Sequence, residues 1–149
     1  MLYSQEGNKE ELYIYLSSKD CELIFPENKA WDFTIRLPRT LHLDGKWLCA
    51  LMQVEFQVGK AKTSKEHLYI CCGLSEESFI RGTQLPVLNE VTINAKPNLQ
   101  TRDFKNPRYI QLSRGTVEEI RVFIKNEDLQ KPSLLTGCLK CTLHLLKRG

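Results

Sequence analysis

The sequence predicts an all-β sandwich or jelly roll of about eight or nine antiparallel strands with hardly any helix. Three observations predict it. Apolar and polar side chains alternate with a two-residue period through residues 31–37, Pro26, Pro38 and Gly45 punctuate the alternation, and Trp47 leads a long extended run to Val58.

Taken in chain order, Leu12, Ile14 and Leu16 fall on one face of a first strand and Tyr13 and Tyr15 on the other, before Ser17-Ser18-Lys19-Asp20 breaks it. Trp31, Phe33, Ile35 and Leu37 then oppose Asp32, Thr34 and Arg36, a half-buried strand that Pro38 is expected to stop. Leu41 and Leu43 repeat the pattern up to Asp44-Gly45, a dipeptide suited to a tight hairpin. From Trp47 both parities start apolar, and only the one carrying Val54, Phe56 and Val58 stays so. This describes a long central strand covered on both sides at its start.

After a polar loop with Lys60, Lys62 and Lys65, a strand resumes at His67, followed by an acidic linker around Glu76 that could be helical and a short apolar piece, Phe79-Ile80. Val91 and Ile93 belong to another strand, residues 96–107 read as loop, and residues 109–112 are a short extended piece. Ile120, Val122 and Ile124 alternate with Arg121, Phe123 and Lys125. The last strand sets Leu139, Cys141, Leu143 and Leu145 against Lys140, Thr142, His144 and Leu146.

With 149 residues, the chain is the size of one domain, and residues 1–149 are expected to form one. Charged residues at 26% and hydrophobic ones at 42% exclude the disordered and collagen-like classes. A net charge of +3, with its cations interspersed among Asp and Glu, builds no nucleic-acid groove, so nucleic acid is not an expected partner. There is no apolar run of membrane-spanning length and no basic-then-hydrophobic leader, so the expected location is the cytosol or nucleus, with the six cysteines as reduced thiols.

Catalytic patterns are scarce. Cys138-x-x-Cys141 with His144 has the spacing of a zinc or redox site, but residues three apart on a strand point to opposite faces. Cys71 and Cys72, being adjacent, face opposite ways as well. Neither a nucleophile elbow, a metalloprotease helix motif nor a phosphate loop occurs, and His42 and His144 alternate outward between leucines, as solvent or interface side chains. The expectation is a non-enzyme with no cofactor and no metal site.

Trp31, Phe33 and Trp47 have core parity. Tyr13 and Tyr15, and Phe123 opposite Ile120, Val122 and Ile124, form either a second buried face or an exposed patch, and they are the candidate subunit-interface residues. The lysine loop and the cluster Arg102, Lys105, Arg108 read as solvated turns or, functionally, as contacts to neighbouring subunits or nucleic acid.

The order Leu12-Tyr13-Ile14-Tyr15-Leu16-Ser17-Ser18, Phe25-Pro26-Glu27-Asn28, Phe33-Thr34-Ile35-Arg36-Leu37-Pro38 and Leu41-His42-Leu43-Asp44-Gly45-Lys46-Trp47 resembles the N-terminal half of the penton (minor capsid) proteins of Polinton and adintovirus-type DNA viruses and transposons. Tyr109-Ile110-Gln111-Leu112-Ser113, Ile120-Arg121-Val122-Phe123-Ile124 and the run from Gly137 to Leu145 resemble their closing strands, while residues 59–107 carry no such motif. The resemblance implies a single jelly roll of about eight antiparallel strands. It also implies a homopentamer at the fivefold vertices of a virion, made in the host cytoplasm and assembled in the nucleus. The implied partners are a double jelly-roll major capsid protein and other minor capsid proteins. A β-sandwich interaction module, binding a protein partner as a trimer or a monomer, is the alternative with the same strand pattern.

Overall fold

A computed structural model describes residues 2–4, 10–59 and 64–148. The strands are β1 Leu2–Ser4, β2 Glu11–Ser17, β3 Asp32–His42, β4 Lys46–Val58, β5 Lys65–Cys72, β6 Ser78–Ile80, β7 Thr83–Leu85, β8 Val87–Asn94, β9 Leu99–Asp103, β10 Ile110–Gln111, β11 Thr116–Asn126 and β12 Leu135–Arg148. A six-stranded sheet runs β1-β2-β12-β4-β10, with β9 also on β4, and a four-stranded sheet runs β3-β11-β5-β8. All of these pairings are antiparallel. Strands β2, β12, β4 and β9 thus lie across a core from β3, β11, β5 and β8, the jelly-roll order.

The alternation read from the sequence places the core. Leu12, Ile14 and Leu16 of β2, Phe33, Ile35 and Leu37 of β3, Cys49, Leu51, Val54 and Phe56 of β4, and Leu139, Cys141, Leu143 and Leu145 of β12 are buried in one cluster between the sheets. Each such aliphatic or aromatic side chain withdrawn from water contributes about 1.5–3 kcal/mol. The long central strand is β4, and its start is covered on both sides, since Trp47, Cys49, Ala50 and Leu51 are all buried.

Four expectations need correction. Pro38 does not stop the strand: β3 continues to His42 through a bulge, its partners on β11 jumping from Glu119 opposite Arg36 to Val117 opposite Leu41. β3 is the edge of its sheet, where a residue without N–H leaves no ladder bond unmade. Asp44-Gly45 turns the chain, with Gly45 at φ 89, but links β3 in one sheet to β4 in the other, so it makes a corner and not a hairpin. Residues 96–107 are not all loop, because β9 pairs with β4 from Gln57 opposite Leu99 to Gln53 opposite Asp103. The segment around Glu76 is not helical; Ser75 bridges Leu112 and leads into β6.

β6 and β7 form a two-stranded ribbon whose turn holds Arg81 at φ 49 and Gly82 at φ 78. Ile80 and Leu85 pack it onto Cys71, Val87 and Phe123, on the side of the four-stranded sheet away from the core. In β12, Gly137 at φ 62 opens a bulge against β4: Thr136 lies opposite Gln57, and the ladder resumes only at Lys140 opposite Glu55. There the Cys138 N–H donates to Gln57 Oε1 at 2.6 Å.

Glu66 of β5 is buried to 4% exposure, and its carboxylate accepts hydrogen bonds from the backbone N–H of Ser133 and Leu134, from Ser133 Oγ and from Asn126 Nδ2 at 3.0–3.3 Å. The β11–β12 connection is thereby tied to β5. No local pattern in the sequence announces this clamp.

Candidate functional site

The outward face of the six-stranded sheet is built by register. Tyr13 of β2 lies opposite His144 of β12, and His144 opposite Ala50 of β4. Tyr109 immediately precedes β10, whose Ile110 pairs with Cys49, so Tyr109 enters the same row. Ala50 is small, which leaves room for the two tyrosines to close over the histidine.

Tyr13 stacks on His144 with ring centroids 4.4 Å apart and planes at 16°, and Tyr109 meets the same ring edge-on at 5.7 Å. His144 Nε2 lies 2.7 Å from Glu11 Oε2, and Nδ1 lies 2.7 Å from the Tyr109 hydroxyl. His144 and Glu11 are 6% and 9% exposed although they point away from the core. A carboxylate only accepts, so Nε2 carries the hydrogen toward Glu11; Nδ1 then accepts from Tyr109 O–H in the neutral ring and donates to it in the cation.

This arrangement corrects one expectation. His144 does face outward, as parity requires, yet it is a buried, doubly hydrogen-bonded ring and not a solvent side chain. His42 is exposed. The sequence carries one signal for the relay in hindsight, the tyrosines on the outer parity of β2, but Glu11 and Tyr109 lie on separate segments and only the sheet order brings them to His144.

The Glu11–His144–Tyr109 chain has the form of a base held by an orienting carboxylate, with a hydroxyl where a nucleophile would stand. Burial, with the Glu11 charge and then Cys49 adding to it, pushes the Tyr109 hydroxyl up from its ordinary value. A hydroxyl held protonated is a poor nucleophile. The relay therefore reads as a structural lock between β2, β12 and the segment entering β10.

Of the three candidate interface residues, Tyr15 is 43% exposed, beside an open depression of about 320 Å³ lined by Ser17, Asp20, Gln53, Lys140 and Thr142. Tyr13 is half-buried by its stacking. Phe123 is 8% exposed, on the opposite layer, under the ribbon and with the Arg121 guanidinium 4.4 Å above its ring. The structure brings Tyr13 and Tyr15 to one face and separates Phe123 from them, because β2 and β11 belong to different sheets.

The cysteines are free thiols. Cys141 points into the core and Cys138 toward Ser17 Oγ at 3.1 Å, so the pair does face opposite ways. Cys71 and Cys72 likewise divide between the ribbon cluster and the main core. Burial pushes Cys71 up to about 12 and Cys72 up to about 11 from an ordinary 9.0, and raises Cys49 and Cys141 as well. Such thiols are protonated and inert at neutral pH. Among the described residues no group of three His, Cys, Asp or Glu is placed to hold a metal.

Lys60 and Lys62 lie outside the described residues, and Lys65 begins β5. Arg102 is not in a turn: it sits in β9 with its guanidinium donating to Thr92 O at 3.2 Å. Lys105 and Arg108 are exposed. No helix among the described residues is long and apolar enough to cross a membrane.

Neither a protein-family model nor a curated protein sequence matches the chain. Solved structures do. A crystal structure of the mavirus penton protein superposes over 91% of this chain and 99% of that one, with a TM-score of 0.62 at 7% identity. The chain has the fold of a viral penton protein. A structure of the Drosophila NLP core, described in terms of pentamer formation and histone binding, covers 94% of this chain at 9% identity with a TM-score of 0.38, too low to carry an argument.

Proposed function

We propose that this chain is a capsid vertex subunit, five copies of which close a ring at the fivefold axes of an icosahedral virion. The observation that carries the reading is the likeness to the mavirus penton protein, which spans nearly the whole of both chains. The jelly-roll order and the sequence resemblance at both ends of the chain point the same way. The role is structural and not enzymatic: the buried thiols stay protonated, and the Glu11–His144–Tyr109 chain ends in a hydroxyl held protonated.

A cyclic ring requires a heterologous contact, one flank of each subunit meeting a different flank of the next. Such a contact needs roughly 1,000 Å² or more of buried surface with an apolar centre. The tyrosine face around Tyr13 and Tyr15 supplies one flank. Beyond the ring, the proposed neighbours are a double jelly-roll major capsid protein and other minor capsid proteins. The chain would be made in the host cytoplasm and assembled into virions in the nucleus.

Native mass spectrometry tests the reading: the expected species has five times the 17.3 kDa subunit mass. Density for the chain on fivefold axes of particles would complete it. A trimer would favour the interaction module, and a strict monomer excluded from particles would overturn the vertex assignment.

A further inference from the structure

β3 and β8 are the two edges of the four-stranded sheet, and along each of them the chain itself takes up backbone groups that face away from the sheet. The Ile124 N–H donates to Trp31 O, so Trp31, Phe33 and Ile35 turn their peptide groups toward β11, while Asp32, Thr34 and Arg36 turn theirs outward. Outward groups of this kind are what an added strand would bond.

At Asp32 the backbone of Lys29 fills the place, with Asp32 N–H donating to Lys29 O at 3.1 Å and Lys29 N–H to Asp32 O at 2.9 Å. At Thr34 a side chain does so. Thr34 N–H donates to Asn28 Oδ1 at 3.0 Å and Asn28 Nδ2 donates to Thr34 O at 2.9 Å, so one amide reproduces the donor and acceptor of a neighbouring peptide. At Arg36 the Cys21 thiol lies 3.7 Å from the carbonyl oxygen, and two residues on Pro38 has no N–H to offer. The segment that supplies these partners is itself pinned: Ile24 N–H and Phe25 N–H both donate to Cys21 O, and Asn28 N–H donates to Phe25 O.

β8 is treated in the same manner. Ala95 N–H donates to Ser64 O, which turns Glu90, Thr92 and Asn94 outward. There Glu90 N–H donates to Asn89 Oδ1 at 2.9 Å, Arg102 Nη2 to Thr92 O at 3.2 Å and Gln100 Nε2 to Asn94 O at 2.9 Å.

We infer that Asn28 is an edge guard: its amide occupies the rung of β3 that an extended segment of a second copy would otherwise take, and so keeps the four-stranded sheet from growing through β3. Backbone groups carry no sequence preference, and the same edge on two copies can pair antiparallel about a twofold axis in a contact that closes on itself. A second copy is therefore the occupant the guard excludes. Association of the chain is left to its side-chain surfaces.

The guard is independent of the pentamer reading, because it concerns species heavier than whatever the unaltered chain forms. Amide hydrogen exchange on the unaltered chain needs no variant: Asp32 and Thr34 should be protected although they face away from the sheet. A Thr34 amide that exchanges as fast as an open chain overturns the cap. In Asn28→Ala the Thr34 amide should exchange about tenfold faster, while Ile35 within the ladder keeps its rate. Sedimentation velocity of that variant should show a concentration-dependent species heavier than that of the unaltered chain. Adding Thr34→Pro removes the N–H that the second copy would bond, at an outward edge position where proline costs no ladder bond, and should abolish the heavier species.

A Thr34 amide set free with no new species overturns the guard and leaves Asn28 a fastener of its own loop. A heavier species that survives Thr34→Pro has its contact elsewhere and overturns the guard as well. The mass of the unaltered chain reads the pentamer proposal separately, and neither result decides the other.

Discussion

The two outward faces of this sandwich meet the same difficulty by different means. On the four-stranded sheet the chain covers its own surplus apolar surface: the β6–β7 ribbon folds back and buries Phe123, Cys71 and Val87. On the six-stranded sheet Tyr15 and Tyr109 stay 43% and 37% exposed, and what lies beneath the tyrosines is polar, an ionisable pair 2.7 Å apart under aromatic rings. A sealed apolar face resists by packing. A face sealed over a carboxylate resists only while its hydrogen-bond partners stay in place, and so it can respond to its surroundings.

The largest test of this difference is Glu11→Ala. Removing one partner of a buried pair leaves the other without compensation, and the expected loss is about 3–5 kcal/mol of unfolding free energy, read by urea denaturation. A loss below about 1 kcal/mol, the range of exposed pairs, would mean the two faces are not different in kind.

Phe123→Ala should cost about 3 kcal/mol, the low end for a large-to-small aromatic change, since the ribbon above it can settle. Loss of its anchor should also make the ribbon turn at Arg81 a site of rapid tryptic cleavage. Unchanged protease resistance would show that the ribbon holds without its aromatic base.

Alkaline titration probes packing on both sides of one sheet at once. Cys71 under the ribbon is raised to about 12 and Cys72 in the core to about 11, from 9.0. Above the ordinary value the unfolded chain gives up these protons and the native chain keeps them, so the stabilisation is fully present below pH 9.0 and is lost as pH climbs through this window. Each thiol contributes about 1.4 kcal/mol per pH unit. Cys71→Ala should flatten the fall only modestly; an unchanged pH profile in that variant would put Cys71 outside the sealed layer.

The smallest effect is expected from Arg36→Ala, which breaks a pair with Glu119 at 3.3 Å between half-exposed side chains on the four-stranded sheet. Thermal denaturation should register less than about 1 kcal/mol. A larger loss would mean that this outer face too depends on its charges.

Alternation made the layers legible. Every side chain of β2 from Leu12 to Leu16 went to the side that its parity assigned, because one-residue slips would have exposed the whole apolar set. What parity could not give was coverage. It placed His144 and Phe123 outward, and both proved buried, one by tyrosines from two other segments and one by a ribbon that reads as linker in the sequence. β9 escaped for a related reason: Leu99-Gln100-Thr101-Arg102-Asp103 has almost no apolar content, and it is a strand because β4 offers an unpaired edge. The site was legible to the same extent, since Tyr13 and Tyr15 could be assigned a face, while Glu11 and Tyr109 became neighbours of His144 only once the strand order was fixed.

The bulge at Gly137 has a consequence for how the two longest strands find each other. A Cβ at that position would displace the Gln57 amide that accepts from the Cys138 N–H, and φ 62 lies in the left-handed region, so glycine is favoured at the crossing. Strand β12 is in effect three rulers joined by two slip joints, graduated in turn against the end, the middle and the start of β4, the second joint falling between Thr142 and Leu143. A misalignment made while these sequence-distant strands pair is absorbed at a joint, and the outward row that carries His144 is set by the third ruler alone.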